Sequence, residues 1–261
     1  MKPHTPSKQP RDTSWNSVAH WYDDLLSTDN DSYQAKVIAP NLLRMLSLKK
    51  DERVFDMACG QGYFSVLFAQ HGARVTGSDL SKRLIEKAIQ NSPKQISYHV
   101  APAHNASFLK DGSVDAVVIV LALQNIENVN DVFAECKRVL AKEGRLLIVL
   151  NHPTFRVPQA SDWTFIHDTQ YRMVSKYLSE SKVLIDMTPG EKNPKKKVKT
   201  VSFHRPLQYY TKLLSKHGLA ISRLEEWISH KKSQSGPRQK AEDTARKEIP
   251  LFMCLEVKAL R

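Results

Sequence analysis

Two carboxylates and two glycines stand at the ends of two predicted strands, with a spacing typical of a site for a nucleoside-containing ligand. Asp56 closes an apolar strand, and Gly60 and Gly62 occupy the turn before a predicted helix. Glycine permits positive φ and lets a ligand approach the backbone closely. Asp79 ends the next strand, where a carboxylate suits the two vicinal hydroxyls of a ribose. The spacing therefore predicts a cofactor site beside these two strands.

The turn differs from the one that binds the pyrophosphate of a dinucleotide. The third small residue of that fingerprint falls on Ser65, and Asp56 stands directly before the turn. A pyrophosphate is held at a helix N-terminus and would be repelled by this carboxylate. A ligand with a cationic amino-acid end would instead be attracted. The order Asp-x-Ala-x-Gly-x-Gly from Asp56 to Gly62 resembles the first motif of the class I S-adenosylmethionine (SAM) methyltransferases.

The elements that position this motif agree with the resemblance. Strands and helices alternate from Arg53 onwards, which indicates a parallel sheet with helices on both faces. The two last strands follow each other without a helix, which indicates an antiparallel hairpin. The predicted fold class is α/β, a doubly wound Rossmann-like seven-stranded sheet with a C-terminal antiparallel hairpin and a cap inserted after strand five. The predicted strands are 53–57, 74–78, 96–100, 114–121, 145–150, 220–227 and 251–259.

Four segments carry the resemblance to the small class I methyltransferases, the broad group that includes the C-methyltransferases of ubiquinone and menaquinone biosynthesis. These segments are 54–62, 75–81, 112–128 and 138–153. The resemblance covers residues 50–153 well, and the final helix and hairpin by topology only. The stretch Ala-Leu-Gln-Asn-Ile, residues 122–126, is similar to a segment of the quinone enzymes.

The resemblance implies SAM as the cofactor and gives roles to individual residues. The glycine turn would hold the methionine part, Asp79 the ribose hydroxyls, and Leu80 would lie against the adenine. Many relatives have an Asp after strand three that accepts from the adenine amino group, but this chain has Ala103 there. His104, Asn105 or backbone groups would take over that contact. The implied cofactor residues are Asp56, Ala58, Cys59, Gly60, Gly62, Asp79, Leu80, Ala103, His104, Leu121 and Tyr22.

Two helices are predicted before the first strand, at 15–26 and 32–48. The first is rich in aromatic residues, including Tyr22, and would either cover the cofactor cleft or pack in the core. Residues 1–13 are polar and rich in Lys, Pro and Thr, which predicts a disordered leader. A single methyltransferase domain is therefore predicted over residues 14–261.

The acceptor side of the site is expected at the ends of strands four and five. Methyl transfer from a sulfonium is an in-line displacement, in which the enzyme aligns the acceptor and excludes water without needing a metal. Gln124 and Asn125 would lie where the sulfur and the acceptor meet, or else are polar residues at the edge of the core. An acceptor that loses a proton needs a base. His152 follows strand five at the ligand-binding edge and is the candidate, with a loop histidine of no catalytic task as the alternative.

The segment 151–205 is predicted to be a cap over the substrate, or to use its aromatic residues for a small core of its own. Alternating aromatic and arginine residues suit a flat or carboxylated small molecule. The predicted substrate residues are Gln124, Asn125, Phe155, Arg156, Trp163, Tyr171 and Arg205.

Composition limits the other possibilities. The chain has 261 residues, a net charge of +12 and three cysteines without metal-ligand or disulfide spacing, which fits a reducing cytoplasm. It has no long apolar run and no signal-peptide core, so no membrane span is expected. The basic segments 192–199 and 230–247 are predicted to be mobile, solvated loops, with contacts to RNA or to an anionic substrate as the alternative.

Three functions remain after these exclusions. No Asn/Asp-Pro-Pro-Tyr/Phe tetrapeptide follows strand four, and no cysteine stands directly after strand four or five, which argues against adenine-amine and 5-methylcytosine chemistry. The favoured function is C- or O-methylation of a small molecule. The alternatives are an RNA or protein methyltransferase that uses the basic segments, and a SAM-binding protein without catalysis.

Overall fold

A computed structural model describes residues 31–186, 193 and 198–260. The predicted leader, the predicted helix 15–26 with Tyr22, and most of the lysine-rich segment 192–199 lie outside these described residues. The strands are β1 (Arg53–Met57), β2 (Arg74–Asp79), β3 (Ser97–Val100), β4 (Val114–Val120), β5 (Leu140–Asn151), β6 (Ser161–Ile166), β7 (Thr169–Val174), β8 (Ser181–Asp186), β9 (Lys199–His204), β10 (Leu219–Trp227) and β11 (Phe252–Ala259). The helices are α1 (Ala39–Leu46), α2 (Tyr63–Gln70), α3 (Lys82–Asn91), α4 (Val129–Val139), α5 (Leu207–Lys216) and α6 (Gln239–Glu248).

The central sheet has seven strands in the order β10-β11-β5-β4-β1-β2-β3. Strands β1 to β5 are parallel, with Asp56 of β1 opposite Gly77 of β2. Strand β11 runs antiparallel to both β5 and β10. The predicted α/β class with a C-terminal antiparallel hairpin is confirmed. The carboxyl ends of β1, β2 and β4 meet at one edge, which is where ligands bind in such sheets.

The continuous apolar sequence of β4 reflects burial on both faces of the sheet. Val117 and Ile119 pack with α4 and α5 in one core, while Ala116 and Val118 pack with α1 and α2 in the other. All four are fully buried. A strand covered on both sides is apolar at every position, whereas a half-exposed strand would alternate.

The predicted helix 32–48 is divided in the structure. A π-helical turn, Gln34–Ile38, precedes α1, and the Ala39 backbone N–H donates to the Gln34 carbonyl. Pro40 has no backbone N–H, so it cannot donate to a carbonyl of the preceding turn as a residue of a continuous α-helix does. The missing hydrogen bond accounts for the wider turn at this point.

The insertion after β5 contains two antiparallel hairpins, β6–β7 and β8–β9. The hairpin β6–β7 packs against α6, and the Arg238 guanidinium lies 4.6 Å from the centre of the Phe165 ring. The hairpin β8–β9 instead packs against a short 3₁₀ turn, Leu123–Asn125, that follows β4. The second hairpin therefore lies beside the carboxyl edge of the sheet.

The prediction that residues 230–247 form a mobile basic loop is wrong for their second half, which folds as α6. The helix buries Ala245, Asp243 Oδ1 accepts from the Ser233 N–H at 2.7 Å, and Arg246 Nε donates to Ser233 Oγ at 3.1 Å. Charged residues at helical spacing gain order here because the hairpin β6–β7 offers a surface to pack on. None of the helices in the described parts of the chain is long and apolar enough to cross a bilayer.

Candidate cofactor and acceptor site

The turn after β1 is held in a left-handed conformation. Ala58, Gly60 and Gly62 have φ values of 58°, 58° and 84°. The Cys59 N–H donates to the Ser78 carbonyl at 2.8 Å, which joins the turn to the end of β2. The backbone of the turn is thereby exposed toward the carboxyl edge of the sheet, where a ligand can approach it closely.

Tyr98 of β3 packs against two glycines of this region. A Cβ on Gly62 would overlap the Tyr98 hydroxyl, and a Cβ on Gly77 would lie 2.8 Å from the Tyr98 ring. The hydroxyl is also within 2.8 Å of Ser92 Oγ, so the ring is held from both ends. Sequence reasoning missed Gly77 and Tyr98. A glycine inside an apolar strand was the available signal, because it often marks close approach of a neighbouring group.

Asp79 holds the turn through both carboxylate oxygens. Oδ2 accepts from the Gly60 N–H at 3.0 Å, and Oδ1 accepts from the Ser81 N–H at 2.8 Å. Burial raises the pKa of Asp79, while the two backbone hydrogen bonds act in the opposite direction. Each carboxylate oxygen retains a further lone pair, so the side chain can accept from ligand hydroxyls without releasing the backbone.

Asp56 is a buried carboxyl at the end of β1. It is 2% exposed and accepts a hydrogen bond from Ser65 Oγ at 2.6 Å. Burial, with the charge of Asp79 as a smaller contribution, raises the pKa of Asp56 to about 7, and the Ser65 hydrogen bond opposes this. A cation placed beside Asp56 would favour its ionised form. The role of Ser65 in positioning Asp56 was not foreseen from the sequence.

SAM affinity is expected to rise with pH, by up to about tenfold per unit, between about pH 5 and about pH 7, and to level off above about pH 7. The reason is that Asp56 releases its proton near pH 7, and only the carboxylate attracts a cationic ligand. Titration calorimetry across this range tests the expectation, and Asp56→Asn is the control that removes this part of the pH dependence. An identical pH profile in both proteins would contradict it.

The stability of the ligand-free protein should show the opposite trend. The pKa of Asp56 is raised in the folded state above its ordinary value of 3.8. The folded state therefore holds the proton more tightly than the unfolded chain does. The resulting stabilisation is fully present below the ordinary pKa and is lost as the pH rises through about 7.

A cavity of about 470 Å³ opens at the carboxyl edge of the sheet. Seven of the predicted cofactor residues line it: Ala58, Gly60, Asp79, Leu80, Ala103, His104 and Leu121. A smaller cavity of about 50 Å³ adjoins it, with Asp56 and Cys59 in its wall. Gly62 lines neither cavity and acts within the turn. Ala103 lies where the resemblance places an adenine-binding Asp. A contact between His104 and the adenine in place of that Asp stays a prediction.

Two further elements line the larger cavity. Gln124 and Asn125 line it from the 3₁₀ turn after β4, and Ile185 and Ser202 line it from the hairpin β8–β9. Ile185 and Ser202 were not among the predicted substrate residues. They are small or aliphatic and lie at the far end of the insertion, so residue type offered no signal for them.

The aromatic and arginine residues predicted to bind substrate lie elsewhere. Phe155, Arg156, Trp163, Tyr171 and Arg205 do not line the larger cavity. The Arg172 guanidinium lies 5.1 Å from the Trp163 ring centre and donates to the Phe155 carbonyl at 2.8 Å. Tyr171 is exposed. Phe155 and Trp163 thus contact Arg172 within the insertion, and the alternative prediction of a small core there stays a prediction.

His152 also lies outside the cavity lining. Its Nε2 is 2.7 Å from Glu226 Oε1, and its Nδ1 accepts from the Thr154 N–H at 3.2 Å. Burial lowers the pKa of His152, and the Glu226 carboxylate partly offsets this. Both ring nitrogens are therefore engaged with protein groups, which suits a residue that orders the chain after β5 better than a base in contact with an acceptor.

Arg205 fastens the insertion to the 3₁₀ turn. Its buried guanidinium donates to the carbonyls of Leu123 at 3.2 Å and Glu127 at 2.8 Å. Ser202 Oγ donates to the Gln124 carbonyl at 3.3 Å in the same region. The predicted substrate arginine thus holds the backbone that presents Gln124 and Asn125.

Replacement of Asp79 by alanine should weaken SAM binding by about 1–3 kcal/mol, the range for losing charge-assisted hydrogen bonds. Titration calorimetry measures the effect, and circular dichroism verifies the fold, because Asp79 also holds the turn. Asp168→Ala removes an exposed carboxylate far along the sequence and serves as the matched control. Tight binding of NAD together with a silent SAM titration would contradict the assignment.

Comparisons with known proteins agree with this geometry. Residues 55–148 match the family described as "Methyltransferase domain". The demethylmenaquinone methyltransferase of Tropheryma whipplei (strain Twist) is 31% identical over 144 residues, which cover 53% of this chain and 58% of that protein. The malonyl-[acyl-carrier protein] O-methyltransferase of Hamiltonella defensa is 31% identical over 135 residues, covering 52% of this chain and 49% of that protein. The chain thus spans less than two thirds of the length of either relative.

Solved structures show the same fold. An S-adenosylmethionine-dependent methyltransferase from Mesorhizobium loti superposes with a TM-score of 0.65 at 24% identity, covering 84% of this chain and 95% of that one. The 1,6-didemethyltoxoflavin-N1-methyltransferase of Burkholderia thailandensis, solved with S-adenosylhomocysteine, superposes with a TM-score of 0.57 at 12% identity. The superposition covers 99% of this chain and 94% of that one.

The family match places a methyltransferase domain over residues 55–148, and the sheet and the glycine turn with its two carboxylates have the class I SAM-dependent methyltransferase fold. S-adenosylmethionine is the cofactor of this domain. The site at the carboxyl ends of β1 and β2 fits it, because a buried carboxyl and an open glycine backbone lie beside a second carboxylate able to accept from hydroxyls.

Proposed function

We propose that this protein transfers a methyl group from S-adenosylmethionine to a carbon or oxygen atom of a small-molecule acceptor, of an aromatic, quinone-like or carboxylated class. The observation that carries the proposal is a single cavity of about 470 Å³ that extends from Gly60 and Asp79 to Gln124 and Asn125. One end has the groups suited to the cofactor, and the other has uncharged polar side chains suited to an acceptor.

The chain's own residues would act by positioning. SAM supplies a methyl group on a sulfonium when it is bound. Asp79 and the Gly60 backbone would orient its ribose, and Asp56 would attract its ammonium end. Gln124 and Asn125 would align the acceptor, while Ile185 and Ser202 would close the cavity against water. Alignment and water exclusion suffice for an in-line displacement, and no base is assigned.

The names of the relatives support a small acceptor. Several curated relatives are called demethylmenaquinone methyltransferases, at about 30% identity over the shared segment. Another is named a malonyl-[acyl-carrier protein] O-methyltransferase, a name that places the malonyl group on a carrier protein and therefore does not by itself favour a small acceptor. The family match covers residues 55–148, which include the proposed cofactor residues Asp56, Gly60 and Asp79, whereas Ile185 and Ser202 of the insertion lie outside it.

The proposal is tested by incubating the protein with isotopically labelled SAM and a cell extract, then separating metabolites, RNA and protein. Label is expected in one small-molecule species, and Asp79→Ala should remove most of it. Label found only in RNA would overturn the proposal in favour of an RNA methyltransferase. Label found only in protein would overturn it in favour of a protein methyltransferase. SAM binding without transfer to any fraction would favour a non-catalytic SAM-binding protein.

Neutralising Lys195, Lys196 and Lys197 to glutamine should leave small-molecule labelling within about twofold. These lysines lie outside the described residues, and no lysine is among the described residues that line the cavity. The RNA alternative predicts instead a loss of labelling with these charges and a steep decline as salt rises, because phosphate contacts release counterions. Labelling at two salt concentrations, for both proteins, distinguishes the two outcomes.

A further inference from the structure

Gln34 lies where the two cavities of the site meet. It belongs to the wall of both the larger cavity of about 470 Å³ and the smaller one of about 50 Å³. The other wall residues that the two cavities share have no polar side chain; they are Ala58, Gly60, Val120 and Leu121. Within the part of the chain that the structure describes, the amide of Gln34 is therefore the polar side chain at this junction.

The side-chain amide of Gln34 is accessible to a ligand. Gln34 is half-buried, and its amide makes no hydrogen bond with any residue from 31 to 186, at 193 or from 198 to 260. Neither amide atom is enclosed by protein, since the buried side-chain atoms without a partner belong to other residues. A ligand in either cavity can therefore form a hydrogen bond with Gln34.

Contacts on both sides hold Gln34 at this junction. The ring of Tyr33 packs edge-on against that of Phe252, with 5.7 Å between the ring centres. Val37 and Ile38, in the same turn as Gln34, are buried in the core beside the sheet. This turn is the π-helical segment before α1, and such segments are frequent at functional sites. The backbone of Gln34 is thus fixed before a ligand binds.

The amino-acid end of S-adenosylmethionine has a carboxylate beside its ammonium group. Both groups are attached to one carbon atom, so the carboxylate lies next to the residue that binds the ammonium. Asp56, which the proposed function pairs with the ammonium, lines the smaller cavity together with Gln34. A carboxylate that leaves water for an enclosed site needs hydrogen-bond donors. The amide of Gln34 has two N–H donors and no charge.

Two other polar side chains of the smaller cavity are less well placed. Gln61 is 8% exposed, and its Oε1 is buried without a partner. Tyr63 lines the smaller cavity but not the larger one, as does Gln61. With the ribose beside Asp79 and the ammonium beside Asp56, the methionine arm passes from the larger cavity into the smaller one. Gln34 is the polar side chain that borders both parts of this path.

We propose that Gln34 Nε2 donates a hydrogen bond to the carboxylate of S-adenosylmethionine and so fixes the methionine arm between the two cavities. Gln34 is a binding residue that was absent from the residues expected from the sequence. The inference rests on the cofactor and on the role of Asp56 in the proposed function, and it holds whatever the acceptor is.

Two ligands that differ by one group test the proposal. S-adenosylhomocysteine has the carboxylate, whereas decarboxylated S-adenosylhomocysteine keeps the ammonium and lacks the carboxylate alone. Titration calorimetry at about pH 8, where Asp56 is ionised, measures both dissociation constants. The unchanged protein is expected to bind S-adenosylhomocysteine at least about tenfold more tightly, the scale of one hydrogen bond to a charged group.

Variants locate the effect. Gln34→Leu should reduce the preference to within about twofold, by weakening the binding of S-adenosylhomocysteine alone. Gln34→Glu should reverse the preference, because the new carboxylate repels that of the ligand and attracts the ammonium. Asp56→Asn should weaken both ligands and retain the preference, and Gln208→Leu, at an exposed position of α5, should change neither constant. Retained binding of the decarboxylated ligand shows that a variant is folded, and two substitutions at position 34 keep the test decisive if one fails to fold.

The proposal is overturned if Gln34→Leu keeps the preference, which would assign the carboxylate to Gln61, to Tyr63 or to a residue outside the described parts of the chain. It is also overturned if Gln34→Glu does not reverse the preference, or if the unchanged protein binds both ligands equally. An unchanged protein that binds neither ligand would instead count against the cofactor on which the proposed function depends, so the two failures are distinguishable.

Discussion

Gly62→Ala is expected to lower the free energy of unfolding by about 2–5 kcal/mol, the sum of left-handed backbone strain and overpacking. Gly62 has a φ of 84°, and an added Cβ would overlap the Tyr98 hydroxyl and lie 3.1 Å from the Ala88 Cβ. Tyr98 cannot retreat freely, because its hydroxyl contacts Ser92 and its ring lies against Gly77. Chemical denaturation measures the loss.

Gly218→Ala is the matched control for backbone strain. Gly218 has a φ of 65°, and an added Cβ there would meet nothing within 4 Å. It should cost only about 1–2 kcal/mol, the strain alone. Adding Tyr98→Phe to Gly62→Ala should recover part of the loss, because it removes the overlapping oxygen. Equal losses for both glycine variants, with no recovery in the double variant, would show that close packing of Tyr98 is not the reason for glycine at position 62.

Arg205→Ala is expected to lower the free energy of unfolding by about 2–5 kcal/mol, because the Leu123 and Glu127 carbonyls lose a charged donor. The guanidinium also lies 4.7 Å from the Phe203 ring centre and 5.2 Å from that of Tyr209, so packing is lost as well. Acceptor turnover should fall more than SAM affinity, since the contacts hold the turn that presents Gln124. Denaturation and separate kcat and KM measurements check both expectations.

Two further variants separate charge from geometry. Arg205→Lys keeps the positive charge but cannot donate to two carbonyls in a fork, so it should recover only part of the stability. Arg74→Ala removes an exposed arginine paired with Asp51 and should cost less than about 1 kcal/mol. Full stability of Arg205→Lys would mean that the charge, and not the forked hydrogen bonding, is what the site requires.

The cofactor half of the protein was predictable because its determinants are local in sequence. Gly60 and Gly62 follow β1 directly, and Asp79 follows β2, so the chain order brings them to one sheet edge once the strands are parallel. The unbroken apolar sequence of β4 likewise indicated a central strand. Periodicity and turn chemistry act over a few residues, which is the range that a sequence pattern can express.

The surroundings of the residues predicted to bind the acceptor depended on contacts between distant parts of the chain. Arg205 meets Leu123 across 82 positions, and His152 meets Glu226 across 74. An arginine or a histidine can bind a substrate or satisfy a buried protein group, and residue type does not distinguish these roles. In the structure, the hydrogen-bond partners of Arg205 and His152 distinguish the two roles. A buried donor or acceptor pairs with the protein group that the fold brings beside it.

The amino-acid sequence by itself determined the α/β sheet and the glycine turn with its two carboxylates. The tertiary structure alone decided which side chains reach the cavity. It placed Ile185 and Ser202 there, set Trp163 of the hairpin β6–β7 beside Arg172, and ordered α6 against that hairpin. The physical reason is that strand and turn formation follow from neighbouring residues, whereas burial and charge pairing follow from packing between elements far apart in the chain.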